Sequence, residues 1–401
     1  MQLRYNYRLG PARQHRIAFG RAFGCARVVF NDALAAREEA HAAGLPYITD
    51  AEVSARLTAA KASPGRAWLG EVSSVVLQQA LADLNAAYRN FFASATGKRK
   101  GPKIKPPRFR SRKDHRQAIR FTANARFKVL ANGKLRLPKI GDVPVRWSRP
   151  LPSEPSSVTI IKDSAGRYFA SFVVETSPAA LPEAEPVVGI DLGLTHFAVL
   201  SDGRKITAPR FLRRAEKLLK RRQRELSRKQ KGSANRAKAR HNVARAHARV
   251  ADARRDFHHQ LSTALIRDNQ AVAAEDLAVA ALGRTRLAKS VHDAGWSSFV
   301  GMLEYKARLY GREFHRIGRF VPTSQTCSVC GAKDGLKPLH VREWQCGACG
   351  VWLDRDVNAA VNVAKAAGLA VTACGAQVRP PSGAAQRIEA GTHPKPHREA
   401  A

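Results

Sequence analysis

Two C-x-x-C-G turns constrain this chain more than any other feature. Cys327 and Cys330 form the first (CSVCG), Cys346 and Cys349 form the second (CGACG), and fifteen residues lie between them. Turns of this kind aim their thiolates at one tetrahedral ion, and the spacing matches a zinc ribbon. Four sulfurs close the coordination shell, so the one expected zinc ion is structural, with no open position for catalysis. Six cysteines in 401 residues are too sparse for a disulfide scaffold, and their clustering points to metal in a reducing compartment. Cys25, in a helical segment, and Cys374, in the tail, have no partner at ligand spacing and read as ordinary residues.

Charge narrows the partners. Lysine and arginine total 69 against 32 acids, a formal charge of +37. That excess goes far beyond what solubility requires, and its self-repulsion opposes compaction unless a polyanion neutralises it. Nucleic acid is the expected partner. No stretch approaches the ~20 apolar residues of a membrane span, and the start, MQLRYNYRLGP, lacks the apolar centre of a signal peptide. A cytoplasmic protein with no membrane partner is expected. The 44% apolar content suffices for real cores, in two to four domains.

Along the chain, Leu3, Tyr5, Tyr7 and Leu9 alternate with polar residues, the period of a half-buried strand. A helix follows Pro11, with an apolar stripe of Phe23, Ala26, Phe30 and Leu34, and a second spans about 50–61. A third, over 73–92, carries Leu77, Leu81, Leu84, Tyr88 and Phe91 at +4, +3, +4, +3 spacing. Residues 97–113, GKRKGPKIKPPRFRSRK, are densely basic and broken by prolines, which excludes a regular helix. Short strands joined by turns are predicted from 127 to 174, forming a small barrel with the first strand. PAALPEAEP, residues 178–186, reads as the main domain boundary. From 210 to 268 the composition gives a basic helical hairpin, broken near Gly232 to Asn235, with a packed face of Val243, Ala246, Val250, Phe257, Leu261 and Leu265. The tail from 371 to 401 lacks periodicity, is rich in Gly and Pro, and is expected to be disordered and dispensable for cutting.

Three carboxylate positions carry chemistry. Asp191 stands alone in the apolar run VVGID, where an unpaired charge costs several kcal/mol unless a partner or metal compensates it. Glu275 and Asp276 end a second apolar run, QAVAAED. Asp354 and Asp356 open a helix whose apolar face includes Ala359, Val363 and Ala366; Asp354 suits the N-cap, leaving Asp356 to project from the first turn. Asp191, Glu275 and Asp356 lie 84 and 81 residues apart, yet two strands and a helix start can bring them together. Such a trio supplies the hard oxygens that two divalent metals about 3.5 to 4 Å apart need, and the product is a cut phosphodiester.

The order GIDLG, AAEDL, SQTCSVCG…CGACG…LDRDVNAA resembles the TnpB (OrfB) family of insertion-sequence proteins, relatives of the type V CRISPR effectors. YRLGPARQ, FGCARVVFN and GPKIKPPRF extend the resemblance over roughly residues 1–368. It implies an α+β multidomain protein: a β-barrel (wedge) domain from 1–10 and 115–180, an inserted helical recognition domain at 11–114, and an RNase H-like RuvC nuclease domain from 187–322 and 351–370. A zinc ribbon at 323–350, the target nucleic-acid-binding insert, completes it. Asp191, Glu275 and Asp356 fall on the three acidic motif positions and are expected to hold two magnesium ions. The implied function is RNA-guided cleavage of double-stranded DNA beside a short target-adjacent motif, in the bacterial cytoplasm and at the nucleoid when on DNA. The guide would derive from the transposon end. Gln78, Gln79, Lys103, Lys105, Arg108, Arg110, Arg221 and Arg222 are the expected nucleic-acid contacts, and a monomer is favoured. A compact type V CRISPR effector, or a guided DNA-binding repressor without cleavage, are the alternatives.

Overall fold

The computed structural model describes residues 1–338 and 340–370; the expected disordered tail, with Cys374, lies outside the described residues. The chain divides into two compact units between Thr176 and Ser177. No helix among the described residues is long and apolar enough to cross a membrane.

In the first unit β1 (Gln2–Leu9) leads into a 30-residue helix, α1 (Arg13–Ala42), which ends where Gly44 takes a left-handed φ of 67°. Next come α2 (Asp50–Ala62), opened by a Thr49/Glu52 capping box, and α3 (Ser74–Ala95). The basic run 97–113 forms neither helix nor strand. Asn31 ties it down, its side-chain amide bonding both the N–H and the C=O of Arg110. Six strands follow: β2 (Gln117–Thr122), β3 (Lys128–Val129), β4 (Lys134–Leu137), β5 (Gly141–Arg146), β6 (Pro155–Lys162) and β7 (Tyr168–Glu175).

The seven strands pair in the order β2-β6-β7-β1-β5-β4-β3, each ladder antiparallel. The ladders alone do not close the expected barrel. β2 and β3 stand at opposite ends of the order with no ladder between them, and β1 reaches β5 only at Arg8↔Arg146 and Leu9↔Val145. Alternation had fixed which faces are buried, but closure depends on pairing between distant strands, which a period of two does not encode. The helical segment has no core of its own: Phe19, Phe30, Leu77 and Leu84 share one cluster with Phe121 and Phe172 of the sheet.

The second unit is built on a five-stranded mixed sheet. β8 (Val187–Asp191), β9 (His196–Leu200) and β10 (Lys205–Thr207) form an antiparallel meander, whereas β11 (Ala271–Glu275) lies parallel to β8 and to β12 (Glu313–Ile317). The order is β10-β9-β8-β11-β12, which leaves β8 central. The basic hairpin between β10 and β11 consists of α4 (Phe211–Ser227) and α5 (Ala234–Asp268), α5 being capped by Ser233. Short α6 (Val279–Leu282) and α7 (Ala288–Ala294) precede α8 (Trp296–Tyr310). Beyond β12, β13 (Glu343–Gln345) and β14 (Trp352–Asp354) make a two-stranded ribbon that feeds α9 (Arg355–Ala366).

Alternate side chains divide the sheet between two layers. Val188, Ile190, Val272 and Ala274 pack with Leu265, Phe299 and Leu303 of α5 and α8. Gly189 and Ala273 face the other way, toward α9. The expected stripe on α9 needs one correction, because Ala366 is exposed while every residue from Val357 to Ala364 is buried. Burial on this helix follows distance along its axis more than the face of a 3.6-residue repeat. Residues 357–364 are covered all round, while Arg355 and Asp356 at its start are half-buried and Lys365 and Ala366 at its end are exposed.

Candidate active site

Parallel pairing of β8 with β11 sets the geometry. Ile190 stands opposite Ala274, so Asp191 and Glu275 follow side by side at the carboxyl ends of adjacent strands. Open α/β sheets collect ligands at such ends. Asp191 shares a face with Gly189 and Glu275 shares one with Ala273, two residues back in each case, so both carboxylates project toward α9. The same alternation turns Asp276 aside, where it pairs with Arg319 at 2.8 Å.

Asp356 arrives from the opposite layer. Asp354 caps α9, accepting from the N–H groups of Asp356 at 3.0 Å and Val357 at 2.9 Å, and Asp356 occupies the first turn. The helix can approach only because position 189 lacks a side chain. A Cβ there would lie 2.1 Å from the Ala360 carbonyl oxygen and 2.9 Å from the Ala364 Cβ. Glycine on the strand and alanine on the helix thus bring backbone against backbone.

Asp191 feels the other two acids. Removal from water, then the charges of Glu275 and Asp356, push the Asp191 carboxyl up to about 8, against the pull of Arg355 and Arg342. Glu275 accepts a 2.6 Å bond from the Thr323 hydroxyl. Asp356 accepts from Arg342 at 3.2 and 3.3 Å, and the same guanidinium donates to the Thr195 hydroxyl at 3.1 Å. Arg342, Thr195 and Thr323 escaped the sequence reading, since nothing in their local pattern distinguishes them from surface polar residues.

The four cysteines make a tighter cluster. Their sulfurs all lie within 4.8 Å of one another, the only group of three or more His, Cys, Asp or Glu side chains among the described residues to do so. Cys327 to Cys349 and Cys330 to Cys346 are each 3.7 Å. Tetrahedral zinc with bonds of about 2.3 Å places its sulfurs about 3.8 Å apart, so the donor set fits that ion. The two turns repeat one construction. Cys327 N–H bonds to Ala332 C=O at 2.9 Å and Cys346 N–H to Val351 C=O at 2.9 Å, while Gly331 and Gly350 take φ of 78° and 68°. One cysteine of each pair, Cys327 and Cys346, is buried, and desolvation raises the Cys327 thiol.

Helix α9 links the two clusters. On its otherwise apolar surface Asn358 and Asn362, one turn apart, reach the carbonyls of Thr323 and Thr326, and Asn358 accepts from the Ser328 N–H at 2.7 Å. The segment entering the first cysteine turn, which includes the Glu275 partner Thr323, is therefore hung on the helix that carries Asp356. The pattern N-x-x-x-N was the available signal for this role.

The remaining candidates are dispersed. Lys103, Lys105 and Arg108 are exposed on the basic run. Arg110 is folded back over the Phe30 ring, 3.8 Å from its centroid, and bonds to Asp83 at 3.3 Å. On α3, Gln78 is exposed and bonds to Ser54 at 3.1 Å, while Gln79 is half-buried. Arg221 and Arg222 lie on α4, both beside Glu225.

Fold and donor groups together describe an α+β protein with a closed thiolate cluster beside an open carboxylate cluster. Comparison with known proteins supplies the family. A family model described as a probable transposase (OrfB_IS605) matches residues 171–286, a Cas12f1-like TNB domain matches 296–363, and a helix-turn-helix domain of the same OrfB family matches 1–45, here a strand and one unbroken helix. A Streptomyces pristinaespiralis protein named "Putative RNA-guided DNA endonuclease" is 44% identical over 380 residues, covering 94% of this chain and 92% of that one. InsQ of Escherichia coli (strain K12), named in the same way, is 32% identical over 393 residues, 94% of each chain. The cryo-EM structure of a Cas12f1-sgRNA-target DNA complex is similar in fold, with a TM-score of 0.50 at 14% identity over 87% of this chain and 82% of that one. The chain belongs to the TnpB (OrfB) family.

Proposed function

We propose that this protein is an RNA-guided DNA endonuclease of a mobile element, cutting target DNA at a RuvC-type, RNase H-like site formed by Asp191, Glu275 and Asp356. One observation carries the reading: three acids from distant segments project into the same space between the central strands and α9, where burial, and after it the charges of Glu275 and Asp356, push Asp191 up to about 8. A folded protein tolerates such a concentration of negative charge when a cation compensates it. Three carboxylates of this kind supply the hard oxygen ligands that two divalent ions sharing a site require. Magnesium ions, when bound there, supply an activated water for in-line attack and neutralise the leaving oxygen. Glu275 is oriented by Thr323 and Asp356 by Arg342, so these residues position two of the carboxylates that would hold the ions.

The four cysteines would hold a structural zinc in a ribbon between β12 and α9, which this reading takes as the target nucleic-acid-binding insert. Guide RNA and double-stranded target DNA are the polyanions that offset the +37 charge. The exposed Lys103, Lys105 and Arg108 of the first unit face this task, with reading of a target-adjacent motif assigned to that unit. Asp191→Ala tests the proposal: magnesium-dependent cleavage by the guide-loaded protein should fall at least about 1,000-fold while guide-dependent DNA binding persists. A variant that cuts like the wild type removes the acid site from the mechanism.

A further inference from the structure

Between the loop that leaves β8 and the start of α4 lies an open pocket of about 410 Å³. That volume is in the range of small-molecule sites. One side is aromatic: Phe211 and Phe257 meet edge to face at 6.0 Å, and Phe257 meets Phe197 at 5.0 Å. The other side is cationic. Arg210, Arg213 and Arg254 line the pocket with a single carboxylate, Asp293. Asp293 is already committed, accepting from the N–H groups of Leu212 at 2.9 Å and Arg213 at 3.4 Å and from the Arg254 guanidinium at 3.2 Å.

The arginines are left with unused capacity. Among the described residues neither Arg210 nor Arg213 is ion-paired to a carboxylate; the Arg213 guanidinium bonds only to the Ser290 hydroxyl, at 3.1 Å. Arg254 Nε is buried without a partner. Arg210 opens α4 in a left-handed conformation, φ 50° and ψ 48°, which costs a non-glycine residue energy and concentrates at functional sites. Aromatic rings on one wall and surplus guanidinium groups on the other match the two chemistries of a nucleotide, a flat base and a phosphate.

We propose that this pocket holds one unpaired nucleotide of the DNA strand being cut, its base against Phe211 and Phe257 and its phosphate on Arg210 and Arg213. Its position supplies the reason. Thr195 lines the pocket and also accepts the Arg342 bond that steadies Asp356, so one loop, four residues past Asp191, serves both places. A base in a duplex keeps its faces covered by its neighbours, so the pocket admits only a base that has left the stack. The inference rests on the nuclease reading, which makes the strand beside the acids a substrate.

The experiment is a binding measurement that needs no cleavage. The full-length, zinc-loaded protein, in buffer without magnesium, is titrated against a ten-nucleotide oligothymidylate with one central 2-aminopurine, whose fluorescence is quenched by stacking. Quenching on binding is expected. Phe211→Ala should remove most of the quench, and Arg210→Glu combined with Arg213→Glu should weaken binding about tenfold or more. Leu287→Trp provides a variant safe for folding, because Leu287 is 49% exposed at the pocket's edge; filling the pocket from there should abolish the quench. Quenching that survives both Phe211→Ala and Leu287→Trp overturns the pocket, and stronger quenching with an oligouridylate of equal length overturns its assignment to DNA. Failure of the nuclease reading would show separately, as undiminished cleavage by Asp191→Ala, and would leave the quench unaffected.

Discussion

The two donor clusters differ in how the chain makes them. The cysteine cluster is assembled within 23 residues, from two turns that each carry their own hydrogen bonds and a left-handed glycine. Its sulfurs meet at 3.7 Å across the turns, a closed, soft set. The carboxylate cluster draws on β8, β11 and α9, segments 84 and 81 residues apart, and exists only because a sheet and a helix pack at Gly189. It stays open and half-exposed. A closed shell suits an ion that must never leave, whereas an open one leaves room for the substrate to share its ligands.

Cys346→Ser strikes the closed cluster and should have the largest effect. Structural zinc is worth about 10–16 kcal/mol in small zinc-finger peptides, so bound zinc should be lost and Tm should drop by roughly 10 °C or more. Elemental analysis and thermal unfolding measure this, and full zinc retention would erase the contrast. Gly189→Ala strikes the open cluster through packing. A methyl group 2.1 Å from a carbonyl oxygen must push α9 away, at a cost of about 1–3 kcal/mol, so cleavage should fall while zinc content stays complete. A variant that loses zinc and activity together would show that the two clusters are one cooperative object.

The smallest effect concerns pH. Asp191 is pushed up to about 8, chiefly by desolvation, so the metal-free fold retains a proton that the unfolded chain releases near 3.8. Stability therefore declines as pH rises through that window. Asp191→Asn, which has no charge to lose, should match the wild type near pH 4 and exceed it in Tm by roughly 3–6 °C near pH 8 without magnesium. Magnesium should narrow the gap by binding the wild type alone. Equal melting curves at both pH values would mean that neither burial nor the neighbouring carboxylates raise Asp191 in the fold.

Much of this could be read locally. The strand Gln2–Leu9, the stripe of α1 and the break between α4 and α5 follow from periodicity and from glycine, because each depends on residues within a few positions of one another. The thiolate cluster was equally plain, since its ligands and turns are contiguous. The acids stood out for a different reason: a charge in an apolar run costs too much to be incidental.

Whatever depends on distant pairing was hidden. Open ends on the seven-stranded sheet, the exposed Ala366, the Arg342 bond from the ribbon to Asp356 and the asparagine ladder under Thr323 and Thr326 follow from which surfaces meet. The sequence by itself determined which groups this protein brings to its chemistry, because donor type, charge and local turn geometry are properties of short segments. Only the tertiary structure decided their separations and their order of approach, because those follow from a parallel register between β8 and β11 and from one missing side chain that allows α9 to settle on the sheet.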